Sequence, residues 1–427
     1  MNYIFDYIMI PMQFIIVFFT LYYFAIAFFG MWRKKEKKIL TPKNTFAVIV
    51  AAHNEEQVIG PLVENLHVLN YPRELYDVFV VADNCKDKTA EIAQSAGAIV
   101  YERFNLEQRG KGYAMEWMFA KLFRLQRKYD AVVVFDADNL VHPNFLLEMN
   151  NRLCKGEKVI QGYLDAKNPR DTWIAGTFAI SFWVVNHIWH LAKYHLGLSS
   201  VLGGTGMCIS TEVLQKFGWG ATCLTEDMEF TMKVLLKGIP TTWAHDAIVY
   251  DEKPLTFQQS WNQRKRWAQG HFDIASRYIP RMLFEGIKQR DLRILDGVLH
   301  LLQPHFLLFS TTFVILSYIN TVTPFFTYAL YAIIPFEVLQ IVGIGQYIFP
   351  VIILAKIGAR GKSWFHLALY PLFIYSWIPI TVLGFIHRNE RVWSHTQHTR
   401  SISYKEILLS QKADFAKEEF LSKQAAK

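Results

Sequence analysis

Charge is what this sequence has least of. Only 19% of its 427 residues are Asp, Glu, Lys or Arg, against about 25% in an ordinary soluble domain. Disorder is excluded, since it needs low hydrophobicity and high net charge, and here 52% of residues are hydrophobic with a net charge of +8. Cysteine is scarce too. Cys85, Cys154, Cys208 and Cys223 include no Cys-x-x-Cys pair, which argues against a zinc site of the usual spacing. They read as reduced thiols of a cytosolic region. A glycine-rich phosphate loop is missing, because Gly60, Gly110 and Gly112 match neither the P-loop nor the dinucleotide pattern. A pure membrane bundle is doubtful as well, with 45 Lys and Arg and 37 Asp and Glu to accommodate. What remains is a large soluble domain joined to a few membrane spans.

The missing charge is localised. Tyr7 to Trp32 carries none, and about 20 apolar residues suffice to span a bilayer. Five cations follow in Arg33-Lys34-Lys35-Glu36-Lys37-Lys38 and none precede, which places that end in the cytoplasm. A signal peptide would carry its positive charge ahead of the apolar run, so an uncleaved anchor is expected over 1–39. Pro304 to Ala355 contains only Glu337, and Ser363 to Ile386 contains no charge. A basic tail over 387–427 and a cytosolic residue 303 require an even number of crossings between them. Four, at 304–322, 324–341, 343–357 and 364–386, are favoured; two plus a re-entrant or interfacial piece is the alternative. Thr172–Ser200 and Tyr278–Gln303 mix aromatic or aliphatic residues with polar ones and read as helices lying in the interface, or else as ordinary surface helices. The divisions expected are an anchor over 1–39, a cytosolic domain over 40–275, interface helices over 276–303, a bundle over 304–386 and a cytosolic tail over 387–427.

Between the spans the pattern alternates. Phe46–Ala52, Asp77–Ala82, Ala98–Tyr101 and Ala131–Phe135 are apolar runs like buried parallel strands. Helical stretches from Asn54, Asp87 and Gly112 separate them. This order implies a doubly wound α/β sheet with ligands at the carboxyl ends of its strands. Three of those ends are polar or acidic: His53-Asn54-Glu55, Asp83-Asn84 and Asp136-Ala137-Asp138.

Asp136 and Asp138, two apart after a strand, can both reach one ion, and hard oxygen ligands suit Mg²⁺ or Mn²⁺ beside a diphosphate. In Thr225-Glu226-Asp227 a carboxylate can serve as general base, while Thr225 can cap the helix behind it. In Gln263-Arg264-Lys265-Arg266-Trp267 an Arg can grip a diphosphate and Trp offers a flat face to a sugar ring. Arg264 and Lys265 read as a basic patch for anionic lipid, and Arg266 and Trp267 as the chemical pair.

Together these segments, with Ala51-Ala52-His53-Asn54-Glu55 and Val81-Ala82-Asp83-Asn84, resemble the family-2 inverting glycosyltransferases. Specifically, they resemble the membrane-embedded processive branch, which includes the cellulose, chitin, hyaluronan and poly-N-acetylglucosamine synthases. His53 departs from the residue frequent at its position. The resemblance implies a GT-A-like mixed sheet inserted between an N-terminal membrane helix and a C-terminal bundle. It implies that Ala52, Asn54, Glu55, Asp83, Lys111, Asp136 and Arg266 hold the nucleotide, and that Asp138 with Asp136 holds the metal. Asp227, beside Glu226, is then the base. Gly204 and Thr205 form the acceptor loop, with Gln263, Arg266 and Trp267 on the diphosphate and the chain end. Trp393, Thr396, Thr399 and Arg400 resemble, with looser spacing, the tail motif of chitin and hyaluronan synthases. The implied activity is processive transfer of glucose or N-acetylglucosamine from a UDP-sugar to a growing β-linked polysaccharide, passed through the enzyme's own channel. The implied setting is the plasma membrane, with a cytosolic catalytic domain, the lipid bilayer as partner and no nucleic acid. The alternative is a non-processive enzyme adding one sugar to a lipid carrier. A transporter would need ionisable groups within its spans, and only Glu337 qualifies.

Overall fold

The computed structural model describes residues 3–34, 36–38, 41–220, 223–332, 334–390, 400–407 and 409. Among these, eight strands form one sheet. They are β1 (Phe46–Ala52), β2 (Tyr76–Asp83), β3 (Ile99–Arg103), β4 (Ala131–Asp136), β5 (Leu140–Val141), β6 (Val159–Ala166), β7 (Met207–Ser210) and β8 (Thr241–Asp251). Their spatial order is β3-β2-β1-β4-β7-β6-β8-β5. The first four lie where the apolar runs predict them and pair in parallel. β7 then enters antiparallel between β4 and β6, which makes the sheet mixed.

The unbroken apolar runs follow from burial on both faces. Phe46, Val48 and Val50 pack into one core with the Ile59–His67 and Phe145–Cys154 helices. Ala47, Ile49, Val132 and Val134 point the other way, onto the Lys111–Leu122 and Glu226–Leu235 helices. The four later strands lack so clear a run. β6 is interrupted by Gly162, where its register with β8 shifts, and β8 carries His245 and Asp246 in mid-strand.

One local difference bears on the site. The sequence predicts helix from Asn54, but the helix begins at Ile59, and Asn54 is left-handed with φ 55. Asparagine tolerates that conformation, and here its Oδ1 accepts the Lys86 N–H at 2.8 Å. The β1 and β2 loops are thereby tied together.

After the sheet, a helix from Phe257 to Gln289 starts at a Thr256–Gln259 capping box and runs unbroken across the expected boundary at 275/276. Helices Leu292–Leu301 and Gln303–Val322 follow. The separate spans expected at 324–341 and 343–357 are instead one helix, Phe336–Lys356. Pro324 and Pro335 cannot donate the backbone hydrogen bonds of a helix interior, and among the described residues between them lies a short turn at Ala329–Ala332. Among the described residues three helical stretches are long and apolar enough to cross a membrane: Phe5–Phe29, Gln303–Val322 and Lys362–Ile386.

Their packing differs. Phe5–Phe29 stacks Phe19 on Phe306, ring centroids 4.7 Å apart, and sets Phe24 against Phe349 at 5.6 Å. At one end of this trio Asp6 accepts the Thr327 N–H (2.7 Å). At the other, Lys356 Nζ donates to the Met31 carbonyl (3.0 Å). Lys362–Ile386 instead lies along the catalytic domain. Gly176 makes room for the His366 ring, Gly384 lets Ala268 approach, and Gln269 Nε2 donates to the His387 carbonyl at 2.9 Å.

Candidate active site

The carboxyl ends of β1, β2, β4 and β8 open onto a cavity of about 1210 Å³. Ala52, Glu55, Asp83, Lys111, Asp136, Asp138, Gly204, Thr205, Glu226, Asp227, Gln263, Arg266 and Trp267 all line it. Residues up to 215 positions apart in the chain therefore converge, as the sequence requires. Asn54 is the exception among the described candidates. Its side chain is spent on the Lys86 contact, and it stands outside the lining.

At the β2 end, Asp83 is buried and paired with Arg103 at 2.5 Å. His53, unusual at its position, donates from Nδ1 to the Asp83 carbonyl at 2.6 Å and so ties β1 to β2. Glu55 is buried, with its N–H on Thr89 Oγ1 at 2.8 Å.

Lys111 opens the Lys111–Leu122 helix. Its Nζ donates to the Asp136 carboxylate and, at 2.6 Å, to the Gly204 carbonyl. Burial works against this ammonium, but the carboxylates of Asp136 and Glu226 outweigh it and hold its pKa above the usual lysine value. Gly204 is left-handed at φ +80, and a Cβ there would stand 3.3 Å from Asp227 Oδ2. Glycine thus lets the loop at 203–206 approach the carboxylate. Thr205 belongs to the scaffold: its hydroxyl donates to Asn139 Oδ1 and accepts the Asp136 N–H at 3.1 Å.

Glu226 and Asp227 begin the Glu226–Leu235 helix. The expected Thr225 cap is absent: that side chain makes no capping bond and packs against Gly270. Asp227 Oδ1 instead accepts the Met228 N–H at 2.8 Å, so this carboxylate serves the helix end and faces the cavity as well. Burial, then repulsion from Glu226, pushes its pKa up to about 7, with Lys111 and Arg266 opposing. Burial raises Glu226 too.

Gln263, Arg266 and Trp267 share one helix face, at i, i+3 and i+4. The Trp267 indole stands edge-on to Phe178 at 5.9 Å. Arg264 is a correction. It does not face lipid: it is wholly buried, donating to the Phe373 carbonyl (3.2 Å) and Ser376 Oγ (2.8 Å) with its guanidinium over the Phe373 ring. It fastens the C-terminal helix pair to the catalytic domain.

The structure adds Asp251, the last residue of β8, with Glu252 and Lys253 just past it. They carry the same signal as the other sites, acidic residues at a strand end, but the mixed pattern of β8 conceals the strand. Lys253 Nζ pairs with Asp251 at 2.7 Å. Burial and the nearby Asp138 and Asp136 charges raise Asp251 to about 6, against the pull of Lys253. Asp138 itself is buried and accepts the Glu252 N–H at 2.9 Å. This concentration of hard oxygens, whose charges repel one another, fits a divalent cation. Among the described residues no three His, Cys, Asp or Glu side chains could hold an ion by themselves. The protein would supply the two carboxylates of Asp136 and Asp138, leaving positions for phosphate oxygens, as is usual for Mg²⁺.

Of the tail motif, Trp393, Thr396 and Thr399 lie outside the described residues. Arg400 pairs with Asp171, and its carbonyl accepts Lys167 Nζ at 3.2 Å. The same Nζ donates to the Asp138 carbonyl at 2.6 Å, so the tail reaches the wall behind the acidic cluster.

A parallel sheet edge that gathers an Asp-x-Asp pair, a second acidic cluster and a basic-aromatic helix face defines a nucleotide-sugar transferase of GT-A type. The family model "Glycosyltransferase like family 2" matches residues 42–270, and the chain belongs to that family. Its relatives include a Bacillus subtilis protein named "Probable glycosyltransferase YdaM", 25% identical over 65% of each chain. The beta-monoglucosyldiacylglycerol synthase of Nostoc sp. is 28% identical over 57% of this chain and 52% of its own. The poly-beta-1,6-N-acetyl-D-glucosamine synthase of Staphylococcus aureus is 22% identical over 54% and 55%. The chain thus spans between half and two thirds of the length of these relatives. Among solved structures, a Pyrobaculum calidifontis mannosyltransferase in complex with GDP-mannose and Mn²⁺ superposes with a TM-score of 0.58. It is 16% identical, over 90% of this chain and 98% of that one, which establishes the shared fold.

Proposed function

We propose that this protein transfers a single glycosyl unit, with inversion, from a nucleoside-diphosphate sugar to a hydroxyl of a membrane lipid. The observation that carries the reading is the extent of the cavity. It runs from Asp136, Asp138 and Asp227 to Tyr23 and Leu307, which sit on two of the helices apolar enough to span. Donor chemistry and the bilayer thus share one space. UDP-glucose and UDP-N-acetylglucosamine are the favoured donors, in keeping with the names of the relatives.

Asp136 and Asp138 would hold Mg²⁺ or Mn²⁺, which when bound neutralises charge on the departing diphosphate. Asp227 accepts the proton of the acceptor hydroxyl, and the freed oxygen attacks the anomeric carbon from the face opposite the nucleotide. Arg266 and Lys111 offset the negative charge left on the diphosphate. Trp267 presents a flat wall to the sugar.

In this reading Phe5–Phe29, Gln303–Val322 and Phe336–Lys356 cross the membrane, and Lys362–Ile386 lies in its inner interface beside the cytosolic domain. Phe5–Phe29 packs directly on each of the other two, at Phe19–Phe306 and Phe24–Phe349. The cavity takes only Tyr23 from the first helix and Gln303, Pro304 and Leu307 from the second. A processive synthase is the second reading, favoured by the Gln263, Arg266 and Trp267 wall. Product mass separates the two. With UDP-sugars, Mn²⁺ and diacylglycerol vesicles, a lipid bearing one sugar is expected, and a ladder of long glycans would overturn the proposal.

A further inference from the structure

Beyond Lys362–Ile386 the chain comes back to the catalytic domain, and what it touches there is the wall behind Asp138. The sheet needs cover at this point. β5 is only two residues long and stands last in the strand order, and a bare sheet edge leaves backbone groups unpaired. Residues 400–407 supply the cover. Ile407 is buried against Leu140 and Tyr250, with Ile402 and Tyr404 packed around it. The Tyr404 ring stands edge-on to His142 at 6.2 Å. The turn that carries these side chains caps itself. Ser403 N–H donates to Glu406 Oε2 at 2.6 Å, and Glu406 N–H returns to Ser403 Oγ at 3.3 Å, the reciprocal pattern of a capping box.

Apolar cover alone does not account for the polar contacts beside it. Arg400 N–H donates to Glu252 Oε2 at 3.3 Å, and the Arg400 carbonyl accepts Lys167 Nζ at 3.2 Å. Both partners also hold Asp138. Glu252 N–H donates to Asp138 Oδ2 at 2.9 Å, and Lys167 Nζ donates to the Asp138 carbonyl at 2.6 Å. Lys167 and Glu252 pair with each other at 3.6 Å, with side chains only 2% and 6% exposed, a dry setting in which such contacts are electrostatically strong. An ammonium has three donors and no acceptor. The partners of Lys167 come from three separate stretches of chain: the Asp138 turn, the end of β8 and the tail. The tail thus reaches the Asp138 carboxylate through Glu252, and the Asp138 backbone through Lys167.

We infer that residues 400–407, acting through Lys167 and Glu252, fix Asp138 for a divalent cation, so that this C-terminal segment is part of the donor site. The inference rests on the reading of Asp136 and Asp138 as the metal's carboxylates. Groups that orient a metal's ligands typically change its affinity by about 10- to 100-fold. Lys167, Glu252 and the tail are positioning residues, since they hold Asp138 and not the ion. Such coupling is reciprocal. A docked tail that tightens the cation is itself tightened when cation and nucleotide bind.

The test uses the full chain in nanodiscs, with UDP and GDP as probes. Calorimetry follows nucleotide binding across a Mn²⁺ titration in the parent, Ile407→Asp, Lys167→Met and Lys167→Arg. Ile407→Asp puts a charge against the apolar edge and releases the tail. Ile407→Asp and Lys167→Met should each raise the Mn²⁺ concentration for half-maximal binding about tenfold. Nucleotide affinity in EDTA should be unchanged, which also reports a folded site, and Lys167→Arg should recover part of the loss. A second measurement needs no variant. In the parent, hydrogen exchange over 400–407 should slow about tenfold when Mn²⁺ and nucleotide are added together, and not with nucleotide in EDTA. Where a variant also loses binding in EDTA, this exchange result decides. Exchange that ignores Mn²⁺, or a metal titration of Ile407→Asp that matches the parent, would overturn the inference and leave the tail as edge cover. Parent nucleotide binding that does not respond to Mn²⁺ would overturn the metal reading and this inference with it. Either outcome leaves lipid glycosylation, read by product mass, standing.

Discussion

At the scale of single residues, the Glu226–Asp227 pair decides the most. Two adjacent carboxyls share a cavity wall with Lys111 and Arg266, and burial keeps both above their ordinary values. Asp227→Asn should abolish transfer, by 10² to 10⁴ as for other general bases (about the loss expected), while calorimetry shows donor binding nearly intact. In the proposed mechanism transfer requires the deprotonated carboxylate, so acceptor kcat/KM should fall as pH drops through about 7, where Asp227 titrates. Stability runs in the opposite sense. A carboxyl whose folded pKa is raised favours folding while protonated, and that contribution is lost as pH rises from the ordinary carboxyl range through about 7. Asp227→Asn should therefore melt higher than the parent at pH 8, with the difference vanishing at pH 4; equal melting at both would show that the charge is not strained. Asp138→Ala removes one of the two carboxylates proposed to hold the metal. Nucleotide affinity, measured with and without Mn²⁺, should then lose its metal dependence.

At the scale of elements, the unexpected feature is the joint between the Phe257–Gln289 helix and the Lys362–Ile386 pair. Gly384 lets Ala268 approach, and Arg264 spans the gap to Phe373 and Ser376. Arg264→Ala should lower stability by about 3 kcal/mol, the scale of two hydrogen bonds from a charged donor. Limited proteolysis should cut more readily near Arg360, whereas donor KM should change little, because Arg264 faces away from the cavity. The motif that reads as one basic patch in sequence thus divides by helix face. Positions 263, 266 and 267 turn to the cavity and 264 to the C-terminal pair.

At the scale of the whole molecule, the catalytic sheet and the apolar helices are joined by shared walls rather than by a linker. Asp6 near Thr327 and Lys356 near Met31 mark opposite ends of one helical trio. This arrangement predicts a topology. On intact cells a membrane-impermeant maleimide should label Thr323→Cys and spare Lys362→Cys, and labelling of Lys362→Cys would place the C-terminal pair across the bilayer. A cavity that runs from the acidic cluster to Tyr23 and Leu307 on two of the apolar helices also predicts that activity depends on the lipid carrying the acceptor. Soluble sugars should be poor acceptors.

The four parallel strands, their acidic ends and the charge-free helices are legible from sequence because each is a local pattern. Burial on both faces writes an unbroken apolar run, and a bilayer writes about twenty residues without charge. Asp83, Asp136, Asp138 and Asp227 could be named for the same reason. β8 was hidden by polar residues within it, and with it Asp251 and Lys253. The rest depended on how distant elements rotate against one another. Only packing reveals that Arg264 is a buried fastener, that Asn54 ties two loops, and that residues 400–407 return to the wall behind Asp138. Such meetings depend on register and helix rotation summed over the whole chain, and no short window of residues encodes them.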